Sequence, residues 1–121
     1  MIKFNENRPI YMQIIDIIKA DIITGKIKGG DKMPSVREFS ETFKVNPNTV
    51  QRVFTELERE GITYSKRGVG TFVSEKEGFL EVLQITQAHD FTNRFVDEMI
   101  ALGFTKNQII ESIHEIFQKK L

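Results

Sequence analysis

The 121-residue chain has no cysteine, no tryptophan, three prolines and two histidines. Without cysteine there is neither a disulfide framework nor a thiolate zinc site. A metal centre needs three or four converging ligands. His89 beside Asp90, and Glu111 three residues before His114, do not assemble one. Neither histidine stands beside an evident serine nucleophile, and the carboxylates are scattered, so catalysis is not expected. No apolar run approaches the ~20 residues of a membrane helix. Met1-Ile2-Lys3-Phe4-Asn5-Glu6 lacks the apolar core of a signal peptide. An excess of charge is missing as well, with 17 Lys/Arg against 17 Asp/Glu. The expectation is a small cytoplasmic protein with no metal, no cofactor, no membrane partner and no enzymatic activity.

The zero sum hides an asymmetry. Residues 1–76 hold 13 Lys/Arg and 10 Asp/Glu, net +3, whereas residues 77–121 hold 4 and 7, net −3. A basic front and an acidic back suit an anionic partner at one end.

Hydrophobic periodicity divides the front into three helices and a hairpin. Pro9 opens the first helix, Ile10, Ile14, Ile17, Ile18 and Ile22 recur at helical spacing with Tyr11, Ile15 and Ile23 widening the stripe, and Gly25 ends it. Residues 29–34 read as a loop. Ser35 and Glu38 form a capping box for a second helix, with Val36, Phe39, Ser40 and Phe43 on its buried side. Asn46 and Pro47 cap and start a third helix reaching about Glu60, with Val50, Val53, Phe54 and Leu57 inward. Then the period changes. Residues 62–65 and 70–73 are β-prone, and Lys66-Arg67-Gly68-Val69 connects them as a hairpin. From Phe79 a helical stripe of Val82, Leu83, Ile85, Ala88, Phe91, Phe95, Met99 and Leu102 runs to Gly103, with a break allowed for. Thr105 and Gln108 then cap a last helix lined by Ile109, Ile113, Ile116 and Phe117. About 45 residues in two helices cannot close a core of their own. They are expected to pack on another surface, most simply a second copy.

Two short helices joined by a tight turn and followed by a hairpin form a winged helix-turn-helix arrangement. A helix that reads DNA needs one apolar side to dock on its domain and an opposite side of short polar and basic residues. Asn48, Gln51, Arg52 and Thr55 supply the second side, and no acid falls among them. Asn and Gln can pair bidentately with adenine, and Arg with guanine. Lys66, Arg67, Gly68 and Gly70 at the hairpin tip combine phosphate-neutralising cations with glycines that permit close backbone approach. Arg37, in the first turn after Ser35, is placed to grip phosphate with the helix N-terminus. Each feature also has a bland reading: a solvated helix face, a charged surface turn, and an ion pair from Arg37 to Glu41. The tail phenylalanines Phe79, Phe91, Phe95, Phe104 and Phe117 read as core or interface before they read as a ligand pocket.

Taken in order, the residues form a set. Pro9-Ile10-Tyr11-x-Gln13-Ile14 opens it, and Gly30-Asp31-x-Met33-Pro34-Ser35-x-Arg37-Glu38 follows. Val45-Asn46-Pro47-Asn48-Thr49-Val50-Gln51-Arg52, Glu56-Leu57-Glu58-x-Glu60-Gly61 and Arg67-Gly68-x-Gly70-Thr71-Phe72-Val73 complete it. The set resembles the DNA-binding domain of the GntR family of bacterial transcription regulators over residues 9–73. The Asn-Pro-Asn-Thr-Val segment and the two-helix tail resemble its YtrA-type branch, whose members carry a small dimerising tail. Met33 stands where leucine is more usual.

The resemblance implies a mainly α fold with a small β-hairpin wing. Residues 1–76 would be a winged helix-turn-helix and residues 77–121 a helical dimerisation tail. Ser35, Arg37, Asn46, Pro47, Asn48, Thr49, Gln51, Arg52, Lys66, Arg67, Gly68 and Gly70 would face double-stranded DNA. Gln51 stands where several other branches carry an arginine, and Arg52 comes one place later. Phe91, Phe95, Met99, Ile109, Ile113 and Phe117 would form a homodimer interface. The implied function is repression from an inverted-repeat operator, often of a transporter operon. A small-molecule effector, unidentified from sequence, would act through the tail or the dimer interface. The competing expectation is a winged module that binds protein instead of DNA. It calls for an acidic or apolar third-helix face, which Asn48, Gln51 and Arg52 do not provide.

Overall fold

A computed structural model describes Phe4 and residues 7–120. In chain order the elements are α1 (Ile10–Ile23), α2 (Val36–Phe43), α3 (Pro47–Arg59), β1 (Thr63–Lys66), β2 (Gly70–Val73), α4 (Phe79–Ala101) and α5 (Lys106–Lys120). They fall into two compact units, one ending at Leu83 and the other beginning at Gln84.

In the first unit α1 buries Ile14, Ile15, Ile18 and Ile22, whereas Ile10 at its start stays exposed. Pro9 is the N-cap, one place before the first helical residue. Lys19 lies within the buried stripe, and its ammonium reaches Glu60 Oε1 at 3.2 Å. The Lys19 side chain is 7% exposed against 35% for Glu60, so this bond ties α1 to the end of α3 from a nearly dry position.

The helix-turn-helix forms because each helix end has its own partner. Ser35 Oγ accepts from the Glu38 N–H at 3.1 Å, and Glu38 Oε1 accepts from the Ser35 N–H at 3.0 Å. α2 ends on Lys44, whose φ of 55° lies in the left-handed region usually left to glycine. Asn46 Oδ1 accepts from the Asn48 N–H at 2.7 Å, and Pro47 occupies the first position of α3. Phe39 joins the two helices. It stacks on Phe43 with ring centroids 5.6 Å apart and meets Phe54 edge-on at 5.5 Å. Val50, Val53 and Leu57 of α3 complete the core.

β1 and β2 pair antiparallel from Thr63–Val73 to Lys66–Gly70. Lys66 therefore belongs to a strand, and the connection shrinks to Arg67-Gly68-Val69. Residues 29–34 also do more than loop. Lys32 bridges Phe72, the Met33 N–H donates to Thr71 O at 2.7 Å, and the Val73 N–H donates to Asp31 O at 2.9 Å. This segment thus lies along the free edge of β2. Glycine permits the approach, since a Cβ on Gly29 would stand 2.9 Å from Ser74 O.

α4 runs unbroken from Phe79 to Ala101, so the break allowed for in the sequence does not form. Its first turn puts Phe79 and Leu83 against the core of the first unit. The second unit holds the rest of α4 and α5. Thr105 and Gln108 form the expected reciprocal pair, at 2.9 and 3.3 Å.

Candidate nucleic-acid interface

α3 presents the mixed face its spacing predicted. Val50, Val53 and Leu57 are buried, whereas Asn48, Gln51, Arg52 and Thr55 are exposed. The acids at the far end of α3 each have a partner. Glu56 accepts from Arg59 at 2.7 Å, Glu58 from Ser65 Oγ at 2.7 Å, and Glu60 from Lys19. The Arg59 hydrogen bond holds the Glu56 carboxyl below its ordinary range and raises the guanidinium in turn. The Ser65 bond also fastens the wing to α3.

Arg52 is not free on that face. Its guanidinium carbon lies 3.8 Å from the centroid of the Tyr11 ring on α1, and Nη2 donates to the Tyr11 hydroxyl at 3.1 Å. Residue spacing alone put Arg52 in the same class as Asn48 and Gln51. The structure separates it from them. Tyr11 is the site residue that sequence reasoning missed: it lay in the quoted motif but was read only as widening an apolar stripe.

Ser35, at the start of α2, is exposed, with its hydroxyl used in the cap. Hydrogen bonds from the Ser35 backbone and side chain hold the Glu38 carboxyl below its ordinary range, with a smaller contribution from the Lys32 charge. Arg37 Nε lies 3.4 Å from Glu41 Oε1, the ion pair considered from the sequence. Its side chain is 89% exposed, so this i,i+4 pair is only a few tenths of a kcal/mol deep and does not hold the guanidinium back. Asn46, Pro47 and Asn48 are exposed at the entry to α3, and Thr49 is partly covered.

The wing divides its residues between two faces. Ser65 and Thr71 pair on the face whose Ser65 reaches α3, and Tyr64, Phe72 and Lys66 take the other. Tyr64 and Phe72 stack at 5.9 Å, and Lys66 Nζ lies 4.6 Å from the Phe72 ring centroid. Lys66 is therefore turned away from the α3 side, a different place from its expected neighbourhood with Arg67. Arg67 and Gly68 form the tip. Gly68 has φ +76°, which favours glycine, and open space around it. Gly70 has φ +147°, a backbone conformation that favours glycine, and a Cβ there would stand 2.7 Å from Lys32 Cε, near the end of a flexible side chain.

Between the start of α2, α3 and the wing runs a groove of about 380 Å³, lined among others by Lys32, Ser35, Gln51, Thr55, Ser65 and Thr71. Among the described residues no group of three or more His, Asp or Glu side chains could hold a metal ion, and no helix is long and apolar enough to cross a membrane.

In the second unit Phe91, Phe95, Ile113 and Phe117 are exposed and Met99 is partly covered. Ile109 is 6% exposed and already covered by its own chain.

Comparison with known proteins agrees with this architecture. Residues 10–73 match the family model for bacterial regulatory proteins of the gntR family. The chain belongs to the GntR family. YhcF, an HTH-type transcriptional regulator of Bacillus subtilis, is 41% identical over 111 residues, covering 92% of each protein. The HTH-type transcriptional repressor YtrA of the same organism is 52% identical over 67 residues, covering 55% of this chain and 52% of YtrA. Among solved structures, a GntR family regulator from Listeria monocytogenes superposes with a TM-score of 0.76 at 39% identity, covering 93% of this chain and 98% of that one. The AraR DNA-binding domain, solved in complex with operator ORX1, matches with a TM-score of 0.54 at 32% identity, over 61% of this chain and 90% of that one. This GntR protein is a DNA-binding transcriptional regulator with a winged-helix fold.

Proposed function

We propose that the protein is a repressor that binds an inverted-repeat operator as a homodimer. The observation that carries this reading is the α3 surface. Asn48 and Gln51 are exposed and short, and every acid at the other end of the helix is engaged by its own chain. A helix of this kind entering the major groove N-terminus first offers amide groups to base edges without acidic repulsion from phosphate. Ser35 and Arg37 at the start of α2, with Asn46, Pro47 and Thr49 at the α3 entry, then set the register on the backbone. Arg67 and Gly68 at the wing tip approach the adjacent groove.

Two reading heads need a tie, and residues 77–121 are proposed to supply it. Phe91, Phe95, Ile113 and Phe117 are apolar side chains left exposed on α4 and α5, which a second copy would cover. Met99 would join them, whereas Ile109 would support the interface from beneath. Repression is favoured by the kinship to YtrA, a repressor by name. Control of a transporter operon, and an effector acting through the tail, rest on the family resemblance.

Sedimentation of the full chain with and without DNA tests both parts. The expected result is a dimer that binds one duplex carrying its upstream promoter region. A monomer that binds the duplex with unchanged affinity at all protein concentrations would contradict the dimeric reading.

A further inference from the structure

We infer that Lys32, outside the helix-turn-helix and outside the hairpin, is a further DNA-backbone contact. This rests on the operator-binding reading and extends it. Lys32 is exposed and bridges Phe72 at the free edge of β2. Its stem passes so close to Gly70 that a Cβ there would meet Cε at 2.7 Å, with Cδ at 3.7 Å. The stem thus passes beside Gly70 along the wing.

Location and charge point to the ligand. Lys32 lines the groove that Ser35 and Gln51 also line, between the α2 start and the wing. Arg8, Lys19, Lys26, Arg37 and Arg59 each have a carboxylate within 4.0 Å, and Arg52 has Tyr11. Among the described residues no such ion pair engages Lys32. Glu38 senses its charge, but that carboxylate is committed to the Ser35 cap. A compact ammonium beside a helix start and a glycine-tipped turn fits one phosphate of a duplex threading this groove.

The test is fluorescence anisotropy of the full chain on its upstream promoter duplex and on a scrambled duplex, across a salt series. Lys32→Gln should lower the slope of log affinity against log salt by about 0.9, the value of one phosphate contact, and by the same amount on both duplexes. Lys32→Arg should restore the slope. Lys26→Gln removes an equal charge outside the groove and should leave the slope unchanged. An unchanged slope in Lys32→Gln, with normal binding by the unmodified chain, overturns the inference and leaves the operator reading standing. So does an equal fall in Lys26→Gln. If the unmodified chain shows no salt-dependent binding to either duplex, the operator reading falls and takes this inference with it.

Discussion

The guanidinium of Arg52 lies 3.8 Å over the ring of Tyr11, joining the exposed polar side of α3 to α1. A planar cation on an aromatic face keeps its in-plane N–H donors while losing much of its freedom to search. Arg52 is thereby expected to act as a preset backbone contact, while Asn48 and Gln51 discriminate bases. Arg52→Ala should weaken binding to operator and scrambled duplexes by the same factor. Tyr11→Leu should cost nearly as much, Tyr11→Phe far less, and Tyr11→Leu with Arg52→Ala no more than the worse single change. A loss confined to the operator duplex would make Arg52 a base reader, worth ~1–3 kcal/mol of discrimination.

The Lys19–Glu60 bond should be visible in stability. Glu60→Gln leaves the ammonium of a nearly buried lysine without its counter-charge, while the partial exposure of Glu60 softens the loss. Urea unfolding should show a destabilisation of about 1–3 kcal/mol. Lys19→Met, which removes the buried charge as well, should cost less. Equal costs would contradict this account of the pair.

The Ser35–Glu38 capping box has a pH signature. Hydrogen bonds from Ser35 lower the Glu38 carboxyl below its ordinary value of 4.5. A group whose folded value is depressed binds protons more readily when the chain unfolds. Its contribution is therefore complete above the unfolded value and is lost as pH falls through the folded one. Glu38→Gln should flatten the decline in melting temperature as pH falls below about 4.5. A decline as steep as that of the unmodified protein would place the acid sensitivity elsewhere.

Lys44 spends stability on its backbone. Its φ of 55° costs an L-residue about 1–2 kcal/mol, from which the greater unfolded-state freedom of glycine takes back part. Lys44→Gly should raise stability by about 0.5–1 kcal/mol in chemical denaturation. A drop would show that the lysine side chain contributes more than its backbone costs.

The parts legible in the sequence were those set by near neighbours. Ser35 with Glu38, Asn46 with Pro47, and Thr105 with Gln108 each act within one helical turn, and all three formed as spaced. The alternation around Lys66-Arg67-Gly68-Val69 located the hairpin to within one residue. What stayed hidden depends on partners far along the chain. Lys32 meets Gly70 and Arg52 meets Tyr11 only after the wing and α1 pack, and nothing local to either residue signals it. Lys66 was placed beside Arg67 by adjacency, but Lys66 ends β1 on the face of Tyr64 and Phe72, and their stacked rings hold its ammonium. Ile109 looked like the other interface residues because a helical stripe does not say which of its members its own chain will cover.

The central claim is sequence-preferring, charge-assisted DNA binding through α2, α3 and the wing. Fluorescence anisotropy on the promoter region upstream of the gene, against a scrambled duplex over a salt series, tests it most directly. The account predicts tighter binding to the promoter duplex, affinity that falls as salt rises, and weaker binding in both Arg37→Ala and Arg67→Ala. Promoter binding that ignores salt and survives both substitutions would contradict it.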